Sequence, residues 1–222
     1  MKKLFVLILF LIAACGSPSQ DDSILDKSSC KLPCWNNIIT GRTTEDAFLK
    51  ILRNLLDINQ DSIKITYQSW NMFENQIYFS FQQEWTLSQR PKLRGEAYII
   101  NNRVSELALC GEINTTMGKL VEEVGEPENI ISGNDIGGGR TVILTYPKTG
   151  ISLSYTTELN NLEITPSTPL DCIELFDPLL YEKMLEAKFF SSGSYNAEET
   201  LKVMYPWDGY GSLDEKYPPR QP

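Results

Sequence analysis

Apolar residues recur along the chain with two different periods, and stretches of the two kinds alternate. After Thr43-Thr44 the apolar positions lie three or four residues apart, as on one face of an α-helix, and the same spacing returns after Thr115-Thr116. Both pairs are typical helix starts, because a threonine side chain accepts hydrogen bonds from the free N–H groups of a first helical turn. The second helix is predicted to end at Gly125-Glu126-Pro127.

A stretch with strand-like alternation follows each predicted helix. In the first stretch the alternating segments begin near Ile63 and end at Leu109, with a hairpin turn predicted at Asn101-Asn102. The second stretch runs from Thr141 to Phe176. A helix followed by an antiparallel meander, twice in one chain, predicts an α+β fold of two tandem helix-then-sheet units.

The chain divides into five predicted segments. Further helices are expected within Pro178–Phe189 and Ala197–Met204, before an aromatic and proline-rich tail. The segments are a signal peptide (1–14), a lipidated anchor with a flexible spacer (15–29), the first α+β unit (30–110), the second α+β unit (111–176) and the C-terminal helices with the tail (177–222).

The N-terminal pattern is that of an export signal. Lys2 and Lys3 precede an apolar run from Leu4 to Ile12, which is shorter than the roughly 20 residues that a transmembrane helix needs. The run leads into Ala13, Ala14 and Cys15, a sequence that fits the lipobox of bacterial lipoproteins. We therefore expect cleavage before Cys15, lipid attachment to the Cys15 thiol, and a location in the cell envelope, outside the cytoplasm. Which membrane holds the anchor stays open.

Charge and composition limit the classes of partner and of chemistry. Loss of residues 1–14 leaves 18 basic and 29 acidic side chains, a net charge of about −11, so nucleic acid is not an expected partner. The chain contains no histidine, which removes histidine-based acid–base catalysis and the commonest zinc ligand. No catalytic residue, cofactor site or metal site is predicted, and the chain is not expected to be an enzyme.

Four cysteines follow Cys15, and an even set outside the cytoplasm is expected to be oxidised. Three pairings are possible, of which we predict Cys30 with Cys34 and Cys110 with Cys172. The first pair has three intervening residues, whereas redox-active pairs mostly have two, so a structural crosslink is favoured over a redox role.

The tail contains Tyr205-Pro206-Trp207-Asp208-Gly209-Tyr210-Gly211, a turn-rich aromatic cluster. Trp207 and Tyr210 are candidate partner-binding residues, because aromatic side chains bury a large area with few rotatable bonds. The alternative interpretation is that they anchor the tail to the fold, and Trp35, Trp70 and Trp85 are likewise expected in the core.

One segment resembles a known group. The run Cys30-Lys31-Leu32-Pro33-Cys34-Trp35, with Ile39-Thr40-Gly41-Arg42-Thr43-Thr44 after it, is similar to the Cys-x-Leu-Pro-Cys-Trp and Ile-x-x-Gly-x-Thr-Thr opening of a group of uncharacterised bacterial lipoproteins. More distantly, the order of helix, Gly-x-Pro and strands resembles small outer-membrane-assembly lipoproteins and the β-lactamase-inhibitor-protein fold. Those proteins are binding modules, and the resemblance implies no catalytic residues.

Two functions are compatible with these features. The first is a membrane-anchored, non-enzymatic module that binds another protein or a component of the cell envelope. The second is a lipoprotein that binds a small ligand in a cleft between the two units. A deep apolar pocket between the units with convergent polar groups would favour the ligand, and an exposed flat apolar patch would favour a protein partner.

Overall fold

The computed structural model describes residue 25 and residues 28–67, 75–81, 93–134, 139–157, 162–186 and 201–218. The signal peptide, Cys15, Trp70, Trp85 and the start of the helix predicted within 197–204 lie outside these residues. Within them, no helix is long and apolar enough to cross a membrane.

Strands account for nearly half of the described chain, more than any other element. Two short pairs, β1 (Cys34–Trp35) with β2 (Ile38–Ile39) and β10 (Glu163–Ile164) with β13 (Gly211–Ser212), stand apart from one large antiparallel sheet. The strands of the large sheet are β3 (Ile58–Tyr67), β4 (Asn75–Phe81), β5 (Leu93–Ile100), β6 (Arg103–Gly111), β7 (Asn129–Asn134), β8 (Arg140–Tyr146), β9 (Ile151–Thr156), β11 (Cys172–Phe176) and β12 (Met204–Pro206). Their spatial order is β12-β7-β8-β9-β11-β6-β5-β4-β3.

The described helices are short. They are α1 (Glu45–Asn54), α2 (Met117–Val124), α3 (Tyr181–Glu186), which follows a 3-10 turn at Pro178–Leu180, and α4 (Leu213–Lys216). The helix predicted from Pro178 is therefore present as far as Glu186, whereas Met204, predicted to be helical, lies in strand β12.

The expected α+β fold class, with two tandem helix-then-sheet units, is wrong. The protein is mostly β, and its strands form one continuous nine-stranded sheet instead of two separate sheets. The two runs of strands join where β6 pairs with β11, with Leu107 opposite Leu175 and Leu109 opposite Ile173. This pairing satisfies the backbone hydrogen-bonding groups on the facing edges of β6 and β11, so neither run ends in an exposed edge there.

Local sequence signals act as predicted at both helix starts and at one hairpin. Thr44 accepts a hydrogen bond from the N–H of Ala47 at 3.3 Å, and Thr116 accepts one from Lys119 at 3.4 Å. Asn101 and Asn102 adopt positive φ values of 51° and 57° between β5 and β6, a conformation that asparagine tolerates better than most residues.

The main core lies between one face of the sheet and helices α1 and α2. Each strand contributes alternate residues to this helix side, for example Leu93, Ala97 and Ile99 of β5. Gly95 belongs to the same series, and the Phe79 ring of the neighbouring strand occupies the space where a side chain would lie, so only glycine fits. Trp35 is fully buried in this core, as predicted.

Part of the opposite face is also covered. Ile131, Ile143 and Phe176 point to that side and pack against Met184 and Leu185 of α3. The remaining part of this face, from β11 to β3, carries mainly polar side chains. We call it the polar face.

Both predicted disulfides are present. Cys30 and Cys34 have a Cα–Cα distance of 5.7 Å and precede the buried Trp35. Cys110 and Cys172 lie directly opposite each other on β6 and β11, with a Cα–Cα distance of 4.1 Å. The second bond therefore joins the two runs of strands at the centre of the sheet.

Candidate binding site on the polar face

The polar face carries a row of side chains that crosses the sheet from its edge to its centre. Because the strands are antiparallel and in register, residues that lie directly opposite one another point to the same side. From the edge inward the row consists of Lys64 on β3, Tyr78 on β4, Glu96 on β5, Ala108 on β6, Glu174 on β11 and Ser152 on β9.

The outer end of this row lines an open groove of about 570 Å³. Lys64 and Arg94 bring positive charge to the groove, and Asp61 and Glu96 bring negative charge. Tyr78 is 39% exposed there and offers both an aromatic ring and a hydroxyl group. The groove thus presents charges of both signs within one open surface.

A register shift in β3 shapes the groove. The pairing with β4 is irregular between Asn59 and Lys64, as at a β-bulge. Ser62 holds this irregularity in place, since its hydroxyl donates to the Asn59 carbonyl at 2.6 Å and accepts from the Ser80 N–H at 2.7 Å. The bulge is therefore a defined feature and not a loose end of the strand.

Glu96 sits at the centre of a hydrogen-bond network beside the groove. The Tyr98 hydroxyl donates to Glu96 Oε1 at 2.5 Å, and the Gln76 amide donates both to the same carboxylate oxygen and to Tyr98. Burial raises the pKa of Tyr98, and its hydrogen bond to Glu96 raises it further. These contacts orient the Glu96 carboxylate toward its neighbours on the polar face.

Two more carboxyl groups lie on the polar face, closer to the centre of the sheet than Glu96. Glu174 is half-buried and accepts a hydrogen bond from the Ser152 hydroxyl. Glu106 is fully buried, and neither of its oxygens has a hydrogen-bond partner among the described residues. Burial raises the pKa of Glu106 well above its ordinary value, and the nearby Glu174 and Glu96 charges raise it further. Burial therefore favours the protonated, neutral form of the Glu106 carboxyl in the fold.

This arrangement suits polar recognition. Within the described residues, no group of three or more acidic or cysteine side chains is placed to hold a metal ion. The groove offers ammonium, guanidinium, carboxylate and phenol groups at one surface, and each of these forms hydrogen bonds or ion pairs with polar or charged partners.

The predicted partner-binding residues Trp207 and Tyr210 lie elsewhere. They are half-buried near β12, at the opposite edge of the sheet from the groove. The Trp207 ring stacks on the fully buried Tyr217 with a centroid distance of 6.1 Å, and Tyr210 meets Trp207 edge-on at 5.3 Å. These contacts fit the anchoring interpretation, and a binding role for the two residues stays a prediction.

Further contacts hold the same segment to the sheet. The buried Arg140 guanidinium donates to the Tyr217 carbonyl at 3.0 Å and pairs with Asp214. The Tyr217 hydroxyl accepts from the Asp208 N–H and donates to the Gly209 carbonyl, both at 2.8 Å. Residues 201–218 are thus part of the folded structure.

Sequence reasoning missed the polar face. The available signal was a glutamate inside each of two strongly apolar strand segments, Glu106 within Val104–Leu109 and Glu174 within Ile173–Phe176. A charged residue at such a position is rarely buried unless a partner or a raised pKa accommodates it. The predicted Cys110–Cys172 disulfide brings the ends of these two segments together, but it does not show that they pair as neighbouring strands of one sheet.

Comparison with known proteins gives no match. No protein family, curated protein or solved structure shows significant similarity to this chain. The resemblance to bacterial lipoproteins therefore stays a prediction.

Proposed function

We propose that this protein is a lipid-anchored module of the cell envelope that binds another protein or an envelope component without catalysing a reaction. The groove beside Lys64, Tyr78, Arg94 and Glu96 carries this proposal, because it combines an open shape with charges of both signs and an exposed aromatic ring. Such a surface suits a partner that itself carries both charges and hydrogen-bonding groups, as a polypeptide does.

Two observations support the proposed location. Disulfides persist in oxidising compartments, and this fold has two of them. Ile12-Ala13-Ala14-Cys15 fits a lipobox, and the proposed acylation site at Cys15 precedes Cys30, the first cysteine of the two disulfides. A chain that is exported and tethered by its N-terminus would expose the groove outside the cytoplasm.

A small ligand is the second candidate, because a volume of about 570 Å³ is within the range of ligand sites. The lining of the groove argues for the protein partner, since ligand pockets are mostly apolar and enclosed, whereas this groove is open and charged. The groove also lies on the polar face between β3 and β5, and not in a cleft between two units.

The binding surface is tested by reversing its positive charges. The double variant Lys64→Glu with Arg94→Glu should lose at least roughly tenfold in affinity, because the partner's acidic groups would meet like charge. The control is Lys50→Glu with Arg53→Glu, which makes the same charge change at two exposed positions of α1 on the other side of the sheet. Binding is measured as proteins captured from a detergent extract of the envelope and quantified by mass spectrometry.

Three results of this experiment are informative. The proposal is supported if the wild type and the α1 control capture a protein that the groove variant does not capture. Equal capture by all three proteins means that the groove is not the binding surface. Loss in both variants means that net charge, and not the groove, governs capture.

The anchor is tested separately. Cys15→Ser should release the protein from membranes, because the Cys15 thiol is the acylation site proposed here and several acyl chains are needed for stable attachment. The measurement is the fraction of protein that sediments with membranes after a high-salt wash. Cys30→Ser with Cys34→Ser is the control and should remain attached. A Cys15→Ser protein that still sediments would contradict the anchor.

A further inference from the structure

Strand β3 forms one edge of the nine-stranded sheet, and no other described strand pairs with its outer side. It pairs with β4, and no backbone hydrogen bond joins residues 61–67 to any other described segment. Its last four residues are all exposed, with Ile65 41% and Tyr67 81% accessible. A long edge that carries exposed apolar side chains is a template for pairing with another strand.

The other edge of the sheet has a different character. There the outermost strand is β12, which has three residues and ends in Pro206. Proline has no N–H to donate, and short strands with proline are a usual protection of sheet edges. Residues 58–67 contain neither proline nor glycine. The fold therefore protects one edge and leaves the other able to pair.

We propose that β3 pairs with β3 of a second copy of this chain, in an antiparallel arrangement with a two-fold axis through Ile65. This inference concerns the assembly of the chain and does not depend on the proposed function. In this register Ile65 lies opposite its own counterpart, Lys64 lies opposite Thr66, and Ile63 lies opposite Tyr67 of the second copy. Apolar residues meet apolar residues, and no two like charges are directly opposed.

The side-chain directions agree with this pairing. Ile63 packs against the main core, Ile65 lies opposite the buried Ile77, and Tyr67 lies opposite Asn75, whose amide donates to Glu45 of α1 at 2.8 Å. These three apolar residues of β3 therefore point to the helix side of the sheet. In the dimer, the corresponding residues of both copies would form one apolar strip between the two α1 helices.

Charge on the strand also favours a second copy. The whole chain carries −9, but residues 58–67 carry one acid, Asp61, and one base, Lys64. The contact itself is therefore neutral, and the repulsion between two acidic chains acts over longer distances, where salt screens it. Dimerisation should accordingly strengthen as the ionic strength is raised.

Pairing would also complete the groove. Lys64 lines the groove at the edge of the sheet, and Thr66 of the second copy would lie beside it on the polar face. The grooves of the two copies would then run together across the junction. This consequence, unlike the dimer itself, rests on the proposed function.

The dimer is tested with matched substitutions. Ile65→Lys places two like charges opposite each other at the axis and should convert a dimer into a monomer, measured by light scattering on the purified full chain. Ile39→Lys is the control, because Ile39 is 38% exposed and lies in the separate β1–β2 pair. A wild-type protein that remains monomeric at high salt and at its highest soluble concentration overturns the proposal, as does equal loss of the dimer in both variants.

The register is tested by crosslinking. Ile65→Cys should form a disulfide between the two copies under oxidising conditions, since directly opposed Cα atoms lie within disulfide reach. Tyr67→Cys should not, because its two copies would be about 13 Å apart along the strands. This pair of variants is informative even if Ile65→Lys fails to fold. Crosslinking of Tyr67→Cys without crosslinking of Ile65→Cys overturns the proposed pairing. The proposal is also overturned if the wild type is a monomer and the Ile65→Lys variant loses binding to an envelope protein. That result would mean that the β3 edge binds that protein and not a second copy of the chain.

Discussion

Glu106→Gln is expected to stabilise the protein at neutral pH. In the unfolded chain a glutamate has its ordinary pKa of 4.5 and is ionised at pH 7, whereas burial and the neighbouring Glu174 and Glu96 charges raise the pKa of Glu106 well above that value in the fold. Folding must therefore protonate this group, which costs about 1.4 kcal/mol for each pH unit above 4.5 until the folded pKa is reached. Glutamine has nearly the same shape and carries no such cost.

The raised pKa of Glu106 determines how the stability difference between Glu106→Gln and the wild type depends on pH. Below pH 4.5 the carboxyl is protonated in both states, so the wild type and Glu106→Gln should have the same free energy of unfolding. As the pH rises from 4.5 toward the folded pKa of Glu106, the wild type should lose stability relative to the variant. The measurement is the free energy of unfolding from urea denaturation at pH 4, 5.5 and 7.

The matched control is Glu122→Gln, which removes the same charge from an exposed position of α2. It should change stability by less than about 0.5 kcal/mol at all three pH values. A Glu106→Gln protein that is less stable than the wild type at pH 7 would mean that Glu106 is ionised in the fold and has a partner there.

Removal of the Cys110–Cys172 disulfide is expected to destabilise the protein by about 4 kcal/mol, against about 2 kcal/mol for the Cys30–Cys34 disulfide. The sequence separations are 62 and 4 residues, and the longer loop restricts the unfolded chain more. The Cys110–Cys172 bond also crosslinks β6 to β11, the one contact that unites the two runs of strands in the sheet.

The test compares two double variants, Cys110→Ala with Cys172→Ala and Cys30→Ala with Cys34→Ala, by the shift in melting temperature. Reduction of the wild type should reproduce at least the larger shift. Equal shifts, or a larger one for the Cys30 pair, would contradict the loop-length argument. Peptide mapping of non-reduced protein checks the two connectivities directly.

Local features of the fold were readable in the sequence. Thr44 and Thr116 begin helices because a threonine hydroxyl caps the helix next to it, and Asn101-Asn102 turns the chain because asparagine tolerates positive φ. The alternation in β5 also identifies the residues that face the core. Each of these signals acts over a few residues and does not depend on the rest of the chain.

Other features were decided by the tertiary structure. Alternation shows which face of a strand is buried but not which strand lies beside it, so the pattern did not reveal that β6 pairs with β11 and makes one sheet of nine strands. The polar face depends on that pairing, since it brings Glu96, Glu106 and Glu174 onto neighbouring strands. By itself the sequence determined the helix starts, the turn and the set of cysteines available for disulfides. Strand neighbours, and with them the groove and the buried carboxyl groups, are set by hydrogen bonds between segments far apart in the chain, which no local pattern encodes.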